Sequence, residues 1–594
     1  MLPARDILIM ETKTHSNNSV QACQNCKNDF TIEAEDFKFY EKIKVPPPTF
    51  CYWCRFIRRM VWRNERALYR RSCDMCQKKI IAIYSVEEPF PVYCRDCWYS
   101  DNWEATNWGV DYDFSRSFFE QFKDLQSKIP RLALGQRNAI NSEYSNMVAD
   151  SRNVYLSIST TLGSENVFYS KSIDASFNIL DSYNLKSCEG SYEDLYGENN
   201  YNVKYSFLAR NCLDSFFLVD CVNCSDCFMS ANLRNKKFCI RGEQYSREDY
   251  FKEIEKYHLS SRQAVEALKE EYDALQDGCI WEYANMSHTV NSSGDNLRNT
   301  KNCFQCFDIY DTEDCRYCYR AYGLKECVDF DFGTSAELVY EYSTFAKGLY
   351  NVRFSLNALN EVRDAEYTDH CISVKNLFGC IGVKNKSNVI LNKEYSEEDF
   401  LTLRDKIVEH MNEVPYIDKR GIVFKYGEFF PIELSPHSYN ESLAQEFAPL
   451  TKVDTIERGY RWKEDETKDY AITSEKDNIP DDIKDVVEAI TEEILGCEHA
   501  GLCTHQCTKA FKITPGELQL YKKQNIPIPI KCPNCRYFER LQKIAPPLIL
   551  PRSCSCVLDN HDHQGKCENV FETAHVSSRK TKVFCESCYN KEIY

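Results

Sequence analysis

From Asn153 onward an apolar residue recurs every twelve or thirteen positions, usually behind an asparagine or an acidic residue. In the second half of the chain the series is Cys303, Cys315, Cys327, Val339, Val352, Ala365, Leu377 and Val389. The residues before them are Asn302, Asp314, Glu326, Leu338, Asn351, Asp364, Asn376 and Asn388. The first half carries the same lattice at Val154, Val167, Ile179, Val203, Cys227 and Cys239, with weaker positions at Ser191 and Ser215. Short alternating runs such as NVFYS, NVKYS and NVRFS read as strands, and the intervening Asn, Asp and Gly as turns. A fixed short stride of strand plus turn predicts a solenoid, in which each rung buries its apolar face only against its neighbours. The competing architecture is an antiparallel sandwich of regular hairpins.

The repetitive region is itself doubled: the segment from Phe228 aligns without a gap, at an offset of 150, with the segment from Phe378, and the two converge at Tyr245 and Tyr395. Ser246 and Ser396 stand three residues before Asp249 and Asp399, a variant capping box that predicts a helix covering the open end of each stack. The expected fold is mainly β: a duplicated β-solenoid middle with helical caps, flanked by small zinc-binding domains at both ends. Its expected segments are 1–110 and 497–594 as tandem zinc modules, 111–150 as a helical connector, and 151–245 and 299–395 as the two solenoids. Residues 246–298 are read as a helical cap and linker, 396–462 as a cap with irregular structure, and 463–496 as an acidic linker with a helical end.

The chain has 594 residues, 43% of them hydrophobic and 13% aromatic, which is globular rather than disordered composition. A net charge of -17 argues against a protein that coats nucleic acid along its whole length, though a local basic patch is compatible with it. Met1–Val20 lacks the apolar run of an export signal, and no window approaches the roughly 18 apolar residues of a membrane span. The expected setting is therefore cytoplasmic and reducing, or a virion for a viral chain. There, closely spaced cysteines, of which the chain has 32, are metal ligands more often than disulfides.

Four CxxC pairs open the chain: Cys23/Cys26, Cys51/Cys54, Cys73/Cys76 and Cys94/Cys97. Two knuckles about twenty residues apart close a tetrahedral thiolate shell, the structural form of a zinc site. The stretch from Cys26 to Arg55 then repeats from Cys507 to Arg536 at a constant offset of 481, matching Phe30 with Phe511, Tyr40 with Tyr521, and Cys51 and Cys54 with Cys532 and Cys535. On that register the third site is Cys503, Cys507, Cys532 and Cys535, and the fourth Cys554, Cys556, Cys585 and Cys588. About four zinc ions are expected. Cys567, His561 and His563 lie inside the fourth loop as alternative ligands or as idle polar residues. The middle region also holds Cys221/Cys224/Cys227, Cys303/Cys306 and Cys315/Cys318, but Cys303, Cys315 and Cys327 sit on the lattice, so small buried thiols explain them more simply than metal or disulfide does.

The pattern C-x2-C-x3-F-x-I, then Y, P and C-x2-C-R, resembles the probable zinc-ribbon (treble-clef-like) domain family over about 35 residues at each end. The wider arrangement is similar to uncharacterised multi-zinc proteins of small-genome bacteria and large DNA viruses, a resemblance that implies zinc binding and no settled activity. Behind the second knuckle, Arg55, Arg58, Arg59, Arg63, Arg66 and Arg70 form a cationic island with Trp62 and Tyr69, suited to clamping phosphate and stacking bases. The opposing reading is that these arginines pair with the acidic middle of the same chain. No nucleophile with its base, carboxylate pair or phosphate loop stands out, so no catalytic residue is expected and the chain reads as non-enzymatic. The leading function is binding of nucleic acid or a ribonucleoprotein by the zinc modules, with the solenoid as a protein-binding scaffold and no membrane partner. A structural or assembly protein is the second reading, and a glycan-active solenoid enzyme the third.

Overall fold

The polar residue before each lattice position has a backbone reason. Asn153, Asn166, Asn178, Asn202, Asn302, Asp314, Asn351 and Asp364 all lie in the left-handed region, with φ between 50° and 57°, which Asn and Asp tolerate better than other side chains bearing a Cβ. Such residues recur every third position over long runs, as at 147, 150, 153, 156, 159 and 162. The side chains at these corners stack as well. Asn153 Nδ2 donates to Asn166 Oδ1 at 2.9 Å, Asn166 to Asn178 at 3.0 Å, Asn351 to Asp364 at 2.7 Å and Asn376 to Asn388 at 2.9 Å.

The computed structural model describes residues 19–344, 347–464, 470–575 and 581–594. Of the stretch read for an export signal, all but Ser19 and Val20 lies outside the described residues. The lattice residues face one another across parallel ladders: Val154 opposite Val167, Val167 opposite Ile179, Val339 opposite Val352, and on through Ala365 and Leu377 to Val389. All of these are buried. The first array runs from Gln136–Ile140 to Lys237–Ile240, and the second from Met286–Val290 to Ser387–Ile390. Each ends in a short antiparallel return, Glu243–Gln244 and Lys393–Glu394. Parallel pairing throughout the rest of both arrays rules out the antiparallel sandwich. In the first array seven strands pair in a closed ring, because Phe177–Leu180 pairs with Tyr192–Leu195 as well as with Glu165–Phe168.

The interior cysteines occupy the same kind of place as the interior serines. Ser157 Oγ donates to the carbonyl two residues back and to one ten residues on. Cys303 Sγ reaches Lys301 O and Thr312 O, and Cys318 reaches Arg316 O and Cys327 O. A small side chain with one donor fits the inside of a tight corner, and a thiol meets that need.

Past each array a helix begins where the capping serines stand: Ser246 accepts from Asp249 N before Arg247–Ile254, and Ser396 from Asp399 N before Glu397–Glu413. The chain divides into two compact units, each discontinuous in sequence. One joins residues 1–133 to 285–464, and the other joins 134–284 to 465–594. Each unit thus combines a terminal cysteine module with the parallel array that lies away from it in sequence. Three expected segments differ: the second array, expected over 299–395, begins at Met286, inside the stretch 246–298 expected to be a cap and linker. The stretch 111–150, expected to be a helical connector, holds the helix Phe118–Gln126 but enters the first array at Gln136. The described part of 463–496, expected to be a linker with a helical end, carries three short 3-10 helices, and Ile479, Ile483, Val486 and Ile490, in or directly after them, are buried in the core of their unit. Among the described residues no helix is long and apolar enough to cross a membrane.

Candidate metal centres

All four modules are built alike. The strand Ser19–Ala22 runs directly into Cys23, the return strand Asp29–Ile32 starts three residues after Cys26, and Cys51 caps the helix Tyr52–Val61, whose first turn carries Cys54. The second module repeats this with Tyr69–Ser72, Lys79–Ala82 and Arg95–Tyr99 around Cys73, Cys76, Cys94 and Cys97. In both, the backbone N–H of the helix-capping cysteine donates to the first thiol: Cys51 N to Cys23 Sγ at 3.3 Å and Cys94 N to Cys73 Sγ at 3.2 Å. These bonds and the helix N-terminus favour thiolate, the form a metal takes. Neighbouring thiols hold Cys23 far below the ordinary thiol value, Cys26 first and then Cys51 and Cys54. The ligand atoms of each set of four lie within 4.8 Å of one another.

The same rule, applied to the C-terminal modules, changes the expected ligands. Leu495–Gly496 runs into Cys497, Ala510–Phe511 starts three residues after Cys507, and Cys532 caps Pro533–Leu541 and donates its N–H to Cys497 Sγ at 3.2 Å. The tetrad is therefore Cys497, Cys507, Cys532 and Cys535, and Cys503 is not the counterpart of Cys23. Likewise Leu550–Ser553 runs into Cys554, Val570–Thr573 starts three residues after Cys567, and Cys585 donates its N–H to Cys554 Sγ at 3.3 Å. That tetrad is Cys554, Cys567, Cys585 and Cys588, with Cys567 in the place expected for Cys556. The physical reason is loop length. The first knuckle encloses two residues in the N-terminal modules, but nine between Cys497 and Cys507 and twelve between Cys554 and Cys567. Cys497, His499 and His505 went unread in the sequence because the CxxC rule selects close pairs. The usable signal was the constant distance from the second cysteine to the return strand.

The sulfur spacings fit a tetrahedral ion. A metal–sulfur bond of about 2.3 Å sets a tetrahedral edge of about 3.8 Å. The observed separations are 3.8 Å for Cys26–Cys51 and for Cys76–Cys94, 3.9 Å for Cys497–Cys535 and for Cys507–Cys532, 4.0 Å for Cys567–Cys585 and 3.5 Å for Cys532–Cys535.

The cationic island is placed differently from its phosphate-clamping expectation. Arg55, Arg58, Arg59 and Arg63 are at most 3% exposed. Arg55 pairs with Asp329 at 2.6 Å, Arg58 with Glu341 at 2.7 Å and Glu428 at 2.8 Å, Arg59 with Asp331 and Asp329, and Arg63 with Glu65. Arg66 is half-buried, and Arg70 is exposed on the strand Tyr69–Ser72. The amphipathic helix turns its cations inward because the parallel array presents Asp329, Asp331 and Glu341 on its covered face. Burial, only partly offset by the arginines, pushes the Asp331 and Glu341 carboxyls up to about 7. In the other unit Arg536 and Arg540, the counterparts of Arg55 and Arg59 at offset 481, both pair with the fully buried Asp181. The two modules thus dock on their arrays with the same pair of arginines.

No protein-family model matches the chain, and no curated protein matches it significantly.

Proposed function

We propose that this chain is a non-enzymatic zinc-dependent structural or assembly protein, made of two β-solenoids that are each braced by a tandem zinc module and that offer their long outer faces to protein partners. The observation that carries the reading is the Arg55/Arg59–Asp329 anchor and its repeat, Arg536/Arg540–Asp181. A module whose basic helix is committed to the array beneath it braces that array and has little cationic surface left for phosphate. The solenoid reading is supported by ladder registers of eleven to thirteen residues and by left-handed corners at every third position. Zinc is favoured over harder cations by all-thiolate tetrads at tetrahedral spacing with four closed ligand positions. The resemblance of both ends to probable zinc-ribbon domains points the same way. Nucleic-acid binding, the leading expectation from sequence, loses the buried Arg55, Arg58, Arg59 and Arg63.

The test is protein purified without chelator at moderate salt, with bound zinc, nuclease-sensitive absorbance and mass by light scattering recorded together. Four or more zinc ions per chain, no nucleic acid, and a concentration-dependent assembly or a retained protein partner are expected. Co-purifying nucleic acid that is lost at high salt and on Arg66→Glu with Arg70→Glu would replace this reading by a nucleic-acid one. Fewer than four ions would remove the bracing role of the modules.

A further inference from the structure

The two enlarged knuckles carry more ligand atoms than one ion can use. Between Cys497 and Cys507 stand His499, Cys503 and His505, and between Cys554 and Cys567 stand Cys556, His561 and His563. The N-terminal knuckles enclose Gln24-Asn25 and Asp74-Met75, which offer no comparable set. His499, Cys503, His505 and Cys535 bring their ligating atoms within 4.8 Å of one another, and Cys535 already belongs to the tetrad with Cys497, Cys507 and Cys532. Cys503 Sγ lies 3.6 Å from Cys535 Sγ, again the edge of a tetrahedron around one ion. In the last module Cys556 Sγ lies 3.1 Å from His561 Nδ1, and Cys588 Sγ 3.4 Å from His563 Nε2. Cys588 likewise already belongs to a tetrad.

We propose that both C-terminal centres are dinuclear, each holding two zinc ions bridged by one thiolate, Cys535 in the first and Cys588 in the second. The second ion of the first centre takes His499, Cys503, His505 and Cys535, and that of the second takes Cys556, His561, His563 and Cys588. The proposal rests on the reading of the four tetrads as zinc sites.

Three independent features support it. The buried nitrogens His499 Nδ1 and His505 Nδ1 have no hydrogen-bond partner, a costly state for a polar atom unless a cation occupies it. On the opposite sides of the rings, where ligand histidines find polar partners, His563 Nδ1 contacts Gly565 O at 2.9 Å and His505 Nε2 contacts Gln542 at 3.3 Å, while His499 Nε2 and His561 Nε2 lie 3.7 Å and 3.6 Å from the carboxylates of Glu539 and Glu592, as ion-pair neighbours without a hydrogen bond. Glu539 and Glu592 each stand four residues after the shared cysteine, and Glu539 replaces the anchor Arg58 of the N-terminal helix. Charge balances too. Five thiolates, two neutral imidazoles and two dications leave each pair at minus one, whereas a lone dication with four thiolates stands at minus two.

Metal analysis of the full chain distinguishes the possibilities. Six zinc ions per chain are expected, falling to five in H499A/H505A and to five in H561A/H563A, while H499C, which keeps a ligand, stays at six. Full-length protein loaded with isotopically enriched cadmium should show metal–metal coupling through a bridging sulfur, and X-ray absorption on the wild-type zinc protein should show a metal–metal vector. The absorption measurement needs no variant, so a variant that misfolds does not spoil the test. Four ions, unchanged by the histidine substitutions and with no metal–metal signal, would overturn the dinuclear assignment and leave the tetrads standing. Fewer than four would overturn the zinc reading and this inference with it.

Discussion

Asp181 and Asp329 are single residues on which much of the bracing depends. Each is fully buried and is faced by two arginines from a cysteine-module helix. Removing one partner of a buried ion pair leaves a stranded charge, at a cost of about 3–5 kcal/mol. Asp181→Ala and Asp329→Ala should each lose stability of that order in denaturant unfolding of protein purified without chelator, against well under half as much for the exposed Asp124→Ala. Equal losses would mean that the arginines are not anchored as described. His437 is the residue with the clearest response to acid. It is buried, stacks on Tyr84 at 5.3 Å, and has its value lowered to about 3, first by burial and then by Arg461 and Arg131. An imidazole kept neutral in the fold binds its proton more readily when unfolded. Stability is therefore lost as pH falls from about 6.5 toward 3, by about 2 kcal/mol at pH 5. His437→Gln should flatten that part of the wild-type profile, and identical slopes would show that His437 does not set it.

At the scale of the element, the strand-and-corner repeat was legible because one residue type answers two demands at once. Asn166 supplies a left-handed φ of 56° and a side chain that links Asn153 to Asn178. Asn166→Val should cost about 1–2 kcal/mol in backbone strain alone and more for the broken ladder, whereas Asn166→Gly keeps the corner and loses only the ladder. Thermal unfolding that ranks glycine below valine would reject this account. Lattice residues such as Val167 and Val352 were readable for a similar reason, since a stacked interior position admits only small or apolar side chains. The C-terminal ligands were not readable by the same rules. Cys503 and Cys507 look like a stretched knuckle, yet the knuckle closes between Cys497 and Cys507, and what decides it is the strand pairing of Gly496 with Ala510. The destination of Arg55 was equally hidden, because its partner Asp329 is 274 residues away in sequence and nothing local distinguishes a cation bound for phosphate from one bound for a buried carboxylate.

For the whole molecule, the pairing of distant segments makes a prediction that chain order alone would get backwards. The C-terminal module belongs with the first array and the N-terminal module with the second. Disrupting the third centre by Cys532→Ser with Cys535→Ser frees the helix Pro533–Leu541, and with it Arg536 and Arg540, from a fixed position over Asp181. Hydrogen exchange on the intact chain should then rise most in residues 136–244, more than in residues 286–394, although the latter stand nearer to the substitutions in sequence. Cys51→Ser with Cys54→Ser should do the reverse, raising exchange most in 286–394 through loss of the Arg55 and Arg59 anchors. Local opening follows the loss of packing partners rather than distance along the chain, so the crossed pattern is the signature of two units that each fold from discontinuous halves. If exchange instead spreads to the array nearer in sequence for both variants, the modules do not brace the arrays assigned to them, and the anchoring arginines lose their role.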